Sequence, residues 1–252
     1  MKRNLLFLVL FFAANYANAQ SVNVNFLWQL ILGGSQNDIA KKIDRASDGS
    51  LVFCGITDSQ NGDVVGNHSN TSGTYDYWVG KVNSQGNVMW TATLGGTAND
   101  EAQYVAATSD GGLVVAGFSN SNNGNVTENF GAYDFWVVKL DATGVIQWQK
   151  TIGSSAAEKA YSIKQTSDGG YIVGGAYIGG FGGDNQVMLV KLSSTGNIVW
   201  QKIYGGSGSE TFWDVAPTND GGYIFAGFTT SNNGGISGNH GMGDAWVVKV
   251  DS

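Results

Sequence analysis

Four tryptophans, Trp28, Trp90, Trp148 and Trp200, stand 62, 58 and 52 residues apart, and each opens a copy of one motif. Ten positions beyond each Trp is an acid, Asp38, Asp100, Glu158 or Glu210, and twenty beyond is Asp48, Asp110, Asp168 or Asp220. A unit of this length buries little surface alone, so the chain must stack its copies and bury the face each presents to the next.

The second copy shows what the unit is. Glu101 to Thr108 leads through Ser109-Asp110-Gly111-Gly112 into the apolar run Leu113 to Phe118. This predicts two strands, A and B, joined by a tight Asp-Gly turn. A long Ser/Asn/Gly loop reaches Asp134, strand C follows over 135–140, and the turn Asp141-Ala142-Thr143-Gly144 reverses the chain into strand D over 145–150. No stretch carries capped 3.6-residue periodicity, and the 38 glycines suit an array of tight turns. The fold class is therefore all-β, and serial four-stranded antiparallel units predict a four-bladed β-propeller.

The last copy, from Glu210 to Val250, has strands A, B and C but no D, whereas Val22 to Leu32 around Trp28 reads as a D without its A, B and C. The N-terminal strand is accordingly expected to complete the C-terminal blade and close the ring. The blades would be 36–94, 98–152, 156–204, and 208–252 with 22–32, in one domain over 20–252, as a monomer.

Lys2-Arg3, the apolar run Leu5 to Ala14 and the small-residue pattern Ala17-Asn18-Ala19 form a secretory signal peptide over 1–19. The apolar run is about ten residues, against roughly 20 for a membrane-spanning helix. The chain is expected to be secreted, at the cell surface, outside it or in the periplasm. Cleavage removes two of the 13 basic residues and none of the 20 acids, so the net charge moves from −7 to −9. That charge argues against nucleic acid or an anionic membrane as partner. The single cysteine, Cys54, permits no intrachain disulfide. The matching residues Ala116, Gly174 and Ala226 are small, which makes Cys54 a buried space-filler.

The motifs Trp-Gln-Lys-x-Tyr-Gly-Gly-Ser around Trp200, Asp-Gly-Gly-Tyr-Ile at Asp168 and Asp220, and Asp-x-Trp-Val-Val-Lys at Asp134 and Asp244 resemble bacterial extracellular β-propeller proteins of the SBBP-repeat type. The resemblance covers residues 28 to 252 and implies a secreted or surface-displayed propeller with no catalytic residues to carry over. The spacing Asp141, Gly144, Trp148 is similar to the docking pattern of quinoprotein propellers and is read as shared blade packing.

Blade topology would bring Asp38, Asp100, Glu158 and Glu210 to one face, near the axis. Four converging carboxylates suit calcium, which takes six to eight oxygen ligands. The structural alternative, favoured because the acid recurs in every blade, is that each accepts hydrogen bonds from its own Gly-Gly-Ser turn. The repeated Lys81, Lys139, Lys191 and Lys249 lie too far along strand C to reach these acids, and the hairpin Asp residues are nearer partners. On the same face, the B-to-C loops of blades one, two and four are variants of one Asn/Gly-rich loop carrying His68, Phe130 and His240 and ending in Asp-x-Trp. The third loop is shorter, and Gln186 and Met188 replace the Asp and Trp. Oxygen-rich loops beside an aromatic suit calcium or a sugar, the bland alternative being an Asx-stabilised loop whose Trp packs between blades.

Tyr161 and Trp213 hold one strand A position in adjacent blades where the others have Lys41 and Gln103, which marks a specialised sector. The two histidines sit at matching loop positions, and no nucleophile elbow, zinc helix or phosphate loop is present, so no catalytic residue is expected. The expected function is non-catalytic recognition or scaffolding through the long-loop face, with Tyr161, Trp213, His68 and His240 as ligand contacts and an extracellular protein or carbohydrate as partner. A carbohydrate-active enzyme with a carboxylate pair assembled across blades, or a purely structural surface protein with calcium-stabilised loops, is the alternative.

Overall fold

A computed structural model describes residues 25, 27–69, 71–179 and 184–252. The signal peptide over 1–19 and residues 22–24 and 26 of the expected strand over 22–32 lie outside them. The described chain forms four antiparallel sheets in sequence order. The first holds β1 (Asp38–Arg45), β2 (Leu51–Thr57), β3 (Asp76–Val82) and β4 (Val88–Leu94). The second holds β5 (Asp100–Ala107), β6 (Leu113–Ser119), β7 (Asp134–Leu140) and β8 (Ile146–Ile152). The third holds β9 (Ala157–Gln165), β10 (Tyr171–Ile178), β11 (Asn185–Leu192) and β12 (Ile198–Tyr204). The fourth has only β13 (Glu210–Pro217), β14 (Tyr223–Thr229) and β15 (Asp244–Val250).

Each sheet is the meander expected from the repeat. The A-to-B hairpin is a type I turn closed by a left-handed glycine, with Gly111 at φ 83° donating its amide to Thr108 O at 3.0 Å. That is one residue longer than a two-residue Asp-Gly turn. Asp110 occupies the position before this glycine because its carboxylate accepts the Gly112 amide at 3.1 Å.

Every strand A carries a β-bulge at the same place. Lys41, Gln103, Tyr161 and Trp213 are the extra residues, falling between paired neighbours such as Ala102 and Tyr104. The extra residue shifts the side-chain alternation by one, which is why the apolar pattern of strand A does not alternate along its length.

Three apolar layers join the four sheets in order. Val52, Cys54, Tyr77 and Val79 of the first sheet pack on Val105, Val115, Trp136 and Val138 of the second. Tyr77 and Trp136 have ring centroids 4.6 Å apart, and the Tyr77 hydroxyl donates to Trp136 O at 2.9 Å. Cys54 is fully buried here, and burial pushes its thiol up to about 12, as befits a space-filler.

The D-strand Trp locks onto the next sheet. Trp90 donates its indole N–H to Ala142 O at 2.9 Å and lies so close over Gly144 that a Cβ there would fall 2.8 Å from the ring. Trp148 does the same with Ser194 O, at 3.1 Å, and Gly196. The buried lysines pair with the hairpin acids as expected: Lys139 with Asp110 at 2.8 Å and Lys191 with Asp168 at 2.9 Å.

The expected completion of the fourth sheet departs from this pattern. Residues 27–34 form no strand, and the outer edge of β15 is unpaired among the described residues. Trp28 instead stacks on Gly86, in the first sheet's own β3–β4 turn, as Trp90 stacks on Gly144. The N-terminal segment thus occupies the D-strand place of a sheet that would precede the first. Among the described residues, the main packing between strands runs from sheet to sheet in order, and none of it is between the fourth sheet and the first.

Candidate functional site

The strand A acids and the long loops lie at the same end of each sheet, because β1, β5, β9 and β13 begin where the B-to-C loops are carried. Each acid closes the turn before its strand. The amides of Gly34, Gly96, Ser154 and Gly206 donate to Asp38, Asp100, Glu158 and Glu210 at 2.7, 2.7, 3.0 and 2.9 Å. Hydroxyls complete each cradle, as with Ser121 to Asp100 at 2.8 Å and Ser231 to Glu210 at 2.6 Å. The quartet is spread one acid to a sheet, and among the described residues no three His, Cys, Asp or Glu side chains come together as a metal-binding group.

What the fold does bring together is each acid and the strand C residue of the sheet before it. Asp76 meets Asp100, Asp134 meets Glu158, and Gln186 meets Glu210, each pair bracketing a glycine. A Cβ on Gly95 would lie 2.5 Å from Asp76 Oδ1 and 2.6 Å from Asp100 Oδ2. Asp76 Oδ1, Asp100 Oδ1 and Asp134 Oδ1 are buried without a hydrogen-bond partner. Burial raises all four carboxyls of the first two pairs. Asp100 is pushed up to about 6 by burial, eased by the nearby Ser119 hydroxyl, the Gly96 amide and Ser121, with the Asp76 charge pushing further. Sequence reading missed these pairs, although both members recur and the glycine between them recurs too.

The other carboxyl oxygen of each Asp-x-Trp motif closes its long loop. Asp76 Oδ2 accepts the His68 amide at 2.9 Å and faces His68 Nδ1 at 2.8 Å. Asp134 Oδ2 accepts the Phe130 amide and Asp244 Oδ2 the His240 amide, both at 2.6 Å. Loop and turn are tied together by Asn61, Asn123 and Asn233, whose Oδ1 atoms accept the amides of Ser35, Thr97 and Ser207 at 2.9, 2.9 and 2.8 Å. The motif's Trp78 and Trp136 are buried within the sheets, which is the packing alternative for that residue. Residues 180–183 of the third loop lie outside the described residues.

The bulged strands run side by side through the four sheets and carry a band of charged and aromatic groups. Lys41 pairs with Glu101 at 3.0 Å. Lys42 and Lys164 both sit over the Tyr104 ring, each 4.4 Å from its centroid. Lys164 lies 3.8 Å from Asp214, which also takes the Ser162 hydroxyl. Trp213, on the bulge of β13, is 66% exposed, while Tyr161 on the neighbouring bulge is half-buried against the third apolar layer. The histidines stand apart from this band, at the loop tips.

No family model matches the chain. The regulatory protein FlaEY of Caulobacter vibrioides is 29% identical over 157 residues, a match taking in 57% of this chain and 16% of that protein. A protein of unknown function from Bacteroides caccae is similar at 13% identity and a TM-score of 0.44, over 74% of this chain and 52% of that one. The tail fiber of Staphylococcus aureus phage P68 is similar at 10% identity and a TM-score of 0.24, over 81% and 49%. Neither structural likeness is close enough to carry an argument. The SBBP-type resemblance therefore stands as repetition of antiparallel β-sheets. Among the described residues, no helix is long and apolar enough to cross a membrane.

Proposed function

We propose that the chain is a secreted, non-catalytic module of the β-propeller type that recognises an extracellular carbohydrate or protein through its long-loop end and the adjoining band of bulged strands. The carrying observation is Trp213: a large aromatic, 66% exposed, on a rigid strand beside Tyr161 and the Lys164–Asp214 ion pair. An aromatic platform flanked by fixed donors and acceptors is the arrangement that stacks on a sugar ring and reads its hydroxyls. The loop-to-turn ties through Asn61, Asn123 and Asn233 support the same reading, since preformed loops bind at lower entropic cost.

The test is a titration of the purified chain against a glycan panel, followed by tryptophan fluorescence. Trp213→Ala should weaken the binding of any glycan found at least tenfold while leaving the melting temperature unchanged. Binding of glycans or extracellular proteins that is indifferent to both Trp213→Ala and Tyr161→Ala would refute this assignment of the surface.

A further inference from the structure

The two ends of the stack are unfinished in complementary ways. On the outward side of the fourth sheet, Ile224, Ala226 and Val247 hold the register positions of Val52, Cys54 and Val79 in the first sheet. Val247 is 64% exposed, whereas its counterparts Val79, Val137 and Leu189 are each at 0% beneath the following sheet. On the outward side of the first sheet, Ile43 holds the position of Val105, Ile163 and Val215. Ile43 is 57% exposed, and those three are buried by the preceding sheet at 0, 0 and 1%. One end therefore carries the side chains that elsewhere cover the following sheet, and the other those that elsewhere receive the preceding one.

The polar groups repeat the message. Lys81, Lys139 and Lys191 have side chains 4, 3 and 6% exposed, but that of Lys249 is 43% exposed. His68 lies against Gly124 of the next sheet, and its equivalent His240, 89% exposed, has no such neighbour. Asp244 and Asp38 are the two acids left over when the others pair across junctions. Finally, among the described residues β15 has no outer neighbour, and residues 27–32 already lie on the first sheet in the place of a preceding sheet's D strand.

We propose that a second copy of this chain covers both ends, head to tail. The fourth sheet of each copy packs on the first sheet of the other, and residues 27–32 of that second copy pair with β15 as its missing strand. The contact reproduces the three junctions inside one chain, with Val247 entering the layer beside Ile43, His240 facing Gly62, and Asp244 meeting Asp38. Such a contact is heterologous, so it propagates until rotation closes it. Among the described residues the fourth sheet makes no major packing contact with the first, and two copies would give eight sheets, within the usual four to eight blades of a ring. Under this proposal the chain is a dimer where the sequence leads one to expect a monomer. The inference rests on repeat geometry and is independent of the ligand and of Trp213.

The experiment is a solution mass by light scattering across the micromolar range, on the wild-type chain and two variants. The wild type should have twice the mass of one chain. Val247→Arg and Ile43→Arg each put a charge on one end only, at side chains exposed within a single copy, so each should be a folded monomer by circular dichroism. Mixed in equal amounts they should regain a dimer, because one retains an intact first-sheet face and the other an intact fourth-sheet face. A wild type that stays monomeric at every concentration overturns the proposal. So does an Ile43→Arg variant that still dimerises alone, which would mean pairing of fourth sheets, or a mixture that stays monomeric.

Discussion

Replacing Asp100 by asparagine should stabilise the protein at neutral pH and leave it nearly unchanged in mild acid. Asp100 meets Asp76 across the junction of the first two sheets, and burial pushes its carboxyl from 3.8 to about 6. A folded-state value above the unfolded one means that the fold favours the protonated form. The contribution is present below about pH 4 and is lost as pH rises through about 6. At 1.36 kcal/mol per unit, ionising Asp100 in place costs roughly 3 kcal/mol by pH 7.5.

Asparagine with its Oδ1 in the place of Asp100 Oδ2 keeps an acceptor for the Gly96 amide and the Ser121 hydroxyl and removes the charge that faces Asp76. Asp76, Asp134 and Glu158 are shifted in the same direction, so wild-type stability should fall between pH 4.5 and 7.5. At about 2–4 °C per kcal/mol for a domain of this size, Asp100→Asn should melt about 5 °C or more higher at pH 7.5, and within about 2 °C of wild type at pH 4.5. Scanning calorimetry at matched protein concentration reads both. A wild type whose melting temperature is flat or rising over that range, or a variant that loses stability at pH 7.5, refutes the reasoning.

Two further substitutions test the packing. Gly144 sits at φ 87° directly under Trp90, so Gly144→Val should cost about 1–2 kcal/mol from the left-handed backbone, with the clash against the Trp90 ring adding to it, and lower the urea midpoint without changing the slope. Cys54, with its thiol near 12, should resist a thiol reagent in the native state at pH 8. Cys54→Ser should cost about 1–3 kcal/mol by burying an unpartnered hydroxyl, while Cys54→Ala, the residue of the second repeat, should cost less. Prompt labelling of the folded protein would show that the layer between the first two sheets opens readily.

Much of the architecture is legible in the sequence because it is written within a few residues at a time. Trp90, Trp148 and Trp200 mark the D strands, Asp110 and Gly111 the hairpin, and the apolar run Leu113 to Phe118 the strand that became β6. The pairing of the hairpin acids with the strand C lysines was legible too, since both lie toward the same end of one sheet. The bulge was visible only as failed alternation around Tyr161 and Trp213. An extra residue shows as a register shift only when the partner strand is known.

The repeat by itself determined that the chain is all-β and that it makes serial antiparallel sheets with the loops at one end. Those are consequences of turn chemistry and side-chain period, which act over three or four positions. Only the tertiary structure decided that Asp76 and Asp100 share a buried junction, because residues 24 apart meet there across a sheet boundary. It also decided that, among the described residues, the main packing of the fourth sheet is not on the first, because the separation of the ends is set by inter-sheet angles summed over three junctions. Trp28 could be assigned to a D strand from its motif, but whose sheet that strand completes depends on that sum.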